Sequence, residues 1–154
     1  MAFGLADVQY LMHQLGPVIP EIVTIIQDDI DSWQIEFDEG VSIQLSWQAE
    51  PPRLLMSCSL GSPDDAAREA VYASLLNANL MLTGVAALKL ALSEPDQAVM
   101  LIGEYESNEG TLDMLRMRVI EFLNFAARFS EMVTDSERDS GPDGLPGNVN
   151  SHRV

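Results

Sequence analysis

Between Leu75 and Glu106 the chain reads LLNANLMLTGVAALKLALSEPDQAVMLIGEYE, and this stretch restricts the fold more than any other. It begins as the end of an apolar helix and runs into two strand-like segments, Val85–Leu92 and Ala98–Glu106. Leu88, Leu90 and Leu92 fall on one side of the first segment, and Val85, Ala87 and Ala91 on the other, interrupted by Lys89. In the second, Val99, Leu101 and Tyr105 oppose Met100 and Ile102. A strand with one solvated face alternates apolar and polar residues, so a strand apolar on both faces needs cover on both. A chain of 154 residues with a single core has little material for that. The pattern predicts that a partner chain supplies part of the cover.

The flanks define the rest. Leu5, Val8, Leu11, Met12 and Leu15 recur at three- and four-residue spacing, which predicts a short helix stopped by Gly16-Pro17. Pro20–Ile30 is apolar in its middle but β-branched, and its state is left open. Three segments of strict alternation follow: Trp33-Ile35-Phe37, Val41-Ile43-Leu45-Trp47 and Leu54-Met56-Cys58-Leu60. Period two predicts half-buried strands, and the Glu39-Gly40 turn joins the first two into a hairpin. The three read as an antiparallel meander.

Ser62-Pro63-Asp64-Asp65 is a helix-start signal, with a capping hydroxyl, a proline suited to the first position and acids at the positive end of the dipole. The helix is predicted over Ala66–Leu82, with Gly84 as its stop. Its last two turns are apolar nearly all round, which calls for burial on more than one side. Leu112, Leu115, Val119, Phe122, Ala126 and Phe129 predict a closing amphipathic helix over Thr111–Val133. The remainder, residues 134–154, is rich in Gly, Pro, Ser and Asp without periodicity and is predicted to be a disordered tail. Residues 1–133 therefore form one α+β domain, in the order helix, three strands, helix, two strands, helix.

Charge narrows the partners. The chain has 24 Asp and Glu against 8 Lys and Arg, a net charge of −16. Residues 135–154 hold only four acids and two bases, so the domain itself is acidic. Phosphate contacts need a basic patch, so nucleic acids and anionic membranes are excluded as partners, and an acidic surface favours basic or neutral ones. Cys58 is the only cysteine, so no internal disulfide forms. No basic leader segment and no membrane-spanning run is present in the sequence, which makes a cytoplasmic location the expectation.

Little in the sequence points to chemistry. Two histidines, His13 and His152, form no motif, and a lone helical histidine is most often a surface residue. Cys58 lies among inward strand positions, where a thiol acts as a small apolar group. Asp28-Asp29-Ile30-Asp31 fails the calcium-loop template: counting from Asp29, the sixth position is Gln34 instead of glycine and the twelfth is Gly40 instead of glutamate. No catalytic residue, metal site or cofactor is expected. A strand edge and a groove at the first sheet and first helix remain, and edge strands accept an added strand from another chain.

The Trp33-x-Ile35-x-Phe37 to Val41-x-Ile43-x-Leu45 hairpin, the strand LLMSCSLG, the helix end LLNANL with Thr83-Gly84, the hairpin VAALKLALSEPDQAVMLIGEYE and the closing helix occur in an order that resembles the class I type III secretion chaperones. The resemblance spans about residues 5–133. It implies an α-β-β-β-α-β-β-α fold, a homodimer, no enzymatic activity, and a bacterial cytoplasmic role. The implied partners are a secreted effector, bound in extended form through its N-terminal segment, and the secretion apparatus ATPase. The implied dimer contact comes from Val71, Leu75, Leu76, Asn79, Leu82, Leu88 and Leu90. The implied client site is Val8, Leu11, Met12 and Leu15 of the first helix with Ile35, Val41 and Ile43, residues that core packing explains equally well. The competing expectation is the same fold serving as a general stress or regulatory binding module without a secretion client.

Overall fold

Alternation built the sheet as the sequence predicts. The computed structural model describes residues 3–84, 87–106 and 110–135. Its elements run α1 (Leu5–Val18), β1 (Ile22–Asp29), β2 (Ser32–Phe37), β3 (Ser42–Ala49), β4 (Pro52–Ser59), α2 (Arg68–Leu82), β5 (Leu88–Leu92), β6 (Val99–Glu106) and α3 (Leu112–Thr134). All six strands form one antiparallel sheet in the order β1-β2-β3-β4-β6-β5. The expected tail lies outside the described residues beyond Asp135, as do Val85 and Ala86.

The open segment Pro20–Ile30 is the addition to the expected order. It forms β1, a sixth strand at the sheet edge, paired with β2 through Ile25 opposite Ile35. Register breaks between Ile22 and Thr24 and between Gln27 and Asp29 shift its side chains between faces. Such bulges erase period two, so alternation could not reveal this strand. Gly40 takes φ +78° in the β2–β3 hairpin and Gly84 φ +78° after α2, both conformations that a side chain disfavours.

Two helix limits differ from expectation. α1 continues through Gly16-Pro17 to Val18, because a proline in the last turn removes a single ladder bond. α2 starts at Arg68, and the Ser62-Pro63 region instead carries the chain away from β4 before a turn at Asp64–Ala67. α3 begins as predicted, with the Thr111 hydroxyl accepting from the Met114 N–H at 3.2 Å.

The core lies between one face of the sheet and helices α1 and α3. Trp33, Ile35, Ile43, Leu45, Met56 and Leu101 rise from the strands to meet Val8, Leu15, Val119 and Phe122, all buried. β6 carries Gly103 where Phe122 and the Tyr105 ring press close, and a Cβ there would lie 2.9 to 3.1 Å from their atoms. α2 packs beside β5, at the opposite end of the sheet from β1.

Candidate protein-binding surfaces

Hydrophobic patterning selects residues for burial, and it does not say whether the burying partner is the same chain. Val8, Leu11, Met12 and Leu15 of α1, with Ile35 and Ile43 of the sheet, are all buried inside the protomer. They shape the surface from beneath and offer no area to a client. Val41 differs. It is half-buried and lines an open groove of about 530 Å³ between the β2–β3 turn and α3. Ile19, Phe37, Leu60, Ile120 and Leu123 give this groove its apolar lining, and Glu21, Asp38, Glu39 and Glu131 add carboxylates.

Glu21 leads from this groove straight into β1, whose outer edge pairs with no strand among the described residues. β1 and the turn after it expose Val23 (67%), Ile26 and Ile30 (64%). Exposed β-branched residues on an unpaired edge are the standard hazard for pairing with another chain. The groove and the edge together form one continuous surface.

The second surface is α2. Of the expected dimer residues, Val71, Leu75, Leu82, Leu88 and Leu90 are buried within the protomer. Leu76 is 70% exposed, and the sequence reading omitted its neighbours Leu80 (71%) and Met81 (76%), which project with it into solvent. The four-residue step from Leu76 to Leu80 was the available signal, since both fall on one helix face. Tyr72, Ala73 and Leu76 line a shallow apolar hollow on the same helix. Asn79 has a role inside the protomer: its side-chain Nδ2 donates to the Leu90 carbonyl at 2.9 Å, and its Oδ1 accepts from the Leu90 N–H at 2.7 Å. The amide occupies the place of a neighbouring strand and closes the β5 edge at its centre.

The charge distribution is uneven. Residues 1–52, which build α1, β1, β2 and β3, contain nine carboxylates and no lysine or arginine. The ion pairs Arg53–Glu104, Lys89–Glu104, Arg68–Asp65 and Arg118–Glu121 all lie later in the chain. The early carboxylates take neutral donors instead: Gln44 Nε2 donates to Asp28 Oδ2 at 3.1 Å, and the Ile30 N–H to Asp29 Oδ1 at 2.7 Å.

Among the described residues, no group of three or more His, Cys, Asp or Glu side chains is placed to hold a metal ion. The Cys58 thiol is buried, which pushes its pKa up to about 11 and keeps it protonated and a poor nucleophile at neutral pH. No helix of the described residues is long and apolar enough to cross a membrane.

The model of the Tir chaperone protein (CesT) family matches residues 26–129, from within β1 to near the end of α3. The chain belongs to the Tir chaperone protein family. No curated protein sequence matches it. Among solved structures, the ExsC–ExsE complex aligns with a TM-score of 0.70 and 20% identity, covering 86% of this chain and 97% of that one. The HopA1–SchA chaperone–effector complex aligns at 0.61 and 18%, covering 80% and 93%. The ExoU–SpcU heterodimeric complex from the type III secretion system of Pseudomonas aeruginosa aligns at 0.59 and 16%, covering 83% and 98%. At these identities the likeness establishes the fold.

For a Tir chaperone family member, the two surfaces sit on opposite sheet edges. The matched range includes α2, with its exposed leucines, and the second half of β1. α1 and the start of β1 precede it, and the structural alignments reach beyond it to more than four-fifths of the chain.

Proposed function

We propose that this chain is a homodimeric type III secretion chaperone that holds the N-terminal segment of a secreted effector in extended form, keeping it soluble and competent for export. Family membership supports the role over a general stress module, and the geometry offers a surface for each partner. The observation that carries the reading is the separation of two apolar surfaces on one small protomer. Leu76, Leu80 and Met81 stand on α2, while Val23, Ile26 and Ile30 stand at the opposite sheet edge. A second copy covers the first, and the client pairs with the second.

The α2 surface suits a dimer because it is helical, apolar and continuous with the partly covered side of β4, β6 and β5. Leu55, Met100 and Ile102 on that side are only half-buried. The β1 edge suits an extended client because its free N–H and C=O groups bind any backbone, while the neighbouring groove takes apolar side chains. The α2 surface also answers the excess of apolar residues in Leu75–Glu106: the fold covers Leu88, Leu90, Val99 and Leu101, and the dimer takes the remainder. A cytoplasmic location and transfer of the client to the secretion apparatus ATPase belong to this proposal.

The test is sedimentation of the purified chain at micromolar concentration, alone and mixed with an N-terminal fragment of a secreted protein from the same genome. The expected result is a species of two chains that gains the fragment without nucleotide. A monomer that ignores every such fragment contradicts the proposal.

A further inference from the structure

Resting on the reading of β1 as the client edge, we infer that the segment it selects is cationic: an extended stretch with apolar residues on one side and lysine or arginine on the other. Strand addition alone carries little selectivity, because backbone groups are the same in every client. Selectivity has to come from the side chains that flank the added strand. Those on this edge are mainly apolar and acidic, with Thr24 and Gln27 as the neutral polar residues of β1. Val23, Ile26 and Ile30 supply exposed apolar area. Asp28, Asp29 and Asp31 lie along the same strand and the turn after it, Glu36 sits opposite Thr24 on β2, and Glu21 leads into the strand.

No lysine or arginine from residues 1–52 offsets these carboxylates, and among the described residues none forms an ion pair with a base. Their hydrogen bonds come from neutral partners, the Gln44 and Gln34 amides and the Ile30 N–H, so their charge is left uncompensated among the described residues. Like charges gathered along an edge repel one another and any acidic client. A client bearing cations relieves that repulsion, associates faster and is favoured over neutral sequences. Among the described residues, Arg53 and Lys89 meet at Glu104 on β6, and Arg116 donates to the Val18 carbonyl at 3.3 Å, at the end of α1.

The experiment uses synthetic peptides matched to the eight residues of β1. Each has Val and Ile at alternate positions, with Lys, Gln or Glu between them. Binding to the full chain is measured between about 0.05 and about 0.5 M salt, a range over which screening length changes several-fold. The Lys peptide is expected to bind tightest, the Gln peptide more weakly and the Glu peptide not at all, with the Lys advantage shrinking as salt rises. Replacing Asp28→Asn, Asp29→Asn, Asp31→Asn and Glu36→Gln together keeps the carbonyl acceptors and removes the charge. That variant should bind the Lys peptide about tenfold more weakly and the Gln peptide unchanged. Glu94→Gln with Asp96→Asn, in the distant β5–β6 turn, should change neither. Equal binding of all three peptides at β1, abolished by Ile26→Ser, overturns the charge preference and leaves the client edge standing. An equal loss from the Glu94/Asp96 variant overturns it as general attraction to an acidic protein. Binding of none of the three overturns both the preference and the edge.

Discussion

Asn79 on α2 grips Leu90 on β5 from both sides, donating to its carbonyl at 2.9 Å and accepting from its N–H at 2.7 Å. One side-chain amide thereby satisfies the backbone groups that an added strand would otherwise seek. The sheet has two edges, and this one is closed at its centre while β1 is not. The asymmetry agrees with the proposed use of β1 as the client edge: β5 is held against its own helix, and β1 has no such contact at its centre among the described residues.

Asn79→Ala removes both bonds and leaves the Leu90 N–H and carbonyl without partners in a half-buried site. A loss of about 1–3 kcal/mol is expected, read as a lower urea midpoint at unchanged slope. The freed edge should also raise the rate of aggregation, followed by light scattering.

Leu80→Asp is expected to leave the protomer folded, because Leu80 is 71% exposed, and to weaken the dimer. Placing a carboxylate in a desolvated apolar contact costs on the order of 3 kcal/mol, or roughly a hundredfold in dimer dissociation constant. Sedimentation equilibrium measures the shift, and circular dichroism checks that the fold is retained.

Gly103→Ala puts a methyl group 2.9 Å from the Tyr105 ring, closer than real contacts come, and 3.1 Å from Phe122, tighter than most. Phe122 is fully buried and Tyr105 nearly so, and a loss of about 1–3 kcal/mol is expected. Thermal unfolding measures it, and near-ultraviolet circular dichroism reports the displaced tyrosine.

Alkaline pH should destabilise the fold in a defined window. Burial pushes the Cys58 thiol from 9.0 up to about 11. Burial, aided by the Glu121 charge and opposed by Arg118, pushes the Tyr105 hydroxyl from 10.0 up to about 12. Both are acids whose neutral form is favoured in the folded state, so the unfolded chain gives up these protons first. The folded chain then holds more protons, and stability falls with rising pH from about 9 to about 12, by up to roughly 2–3 kcal/mol for each group. Cys58→Ala and Tyr105→Phe should each flatten that decline in urea midpoints. Tyr105→Phe should cost little at neutral pH, since the buried hydroxyl has no hydrogen-bond partner.

The parts of the fold that follow a strict period were legible in the sequence. Trp33, Ile35 and Phe37, then Ile43, Leu45 and Trp47, are buried in register across β2 and β3. β1 was not legible, because its two register breaks destroy the alternation that marks a strand. The surfaces were harder to see than the core for a different reason. A buried leucine such as Leu15 and an exposed one such as Leu80 look alike in a helical pattern, and only the position of neighbouring elements separates them. The doubly apolar end of α2 predicted burial on two sides; the protomer buries one with Val71, Leu75 and Leu82, and Leu76, Leu80 and Met81 stay exposed on the other. The Asn79 contact with Leu90 spans a turn and was invisible to periodicity.

Amide hydrogen exchange on the purified protein, with and without a bound N-terminal fragment of a secreted protein from the same genome, tests β1 as the client edge. The expectation is that the fragment slows exchange along β1, Ile22–Asp29, and leaves β5, Leu88–Leu92, unchanged. Protection that falls on β5 or on the α2 face around Leu76 and Leu80, with β1 exchanging as before, contradicts it.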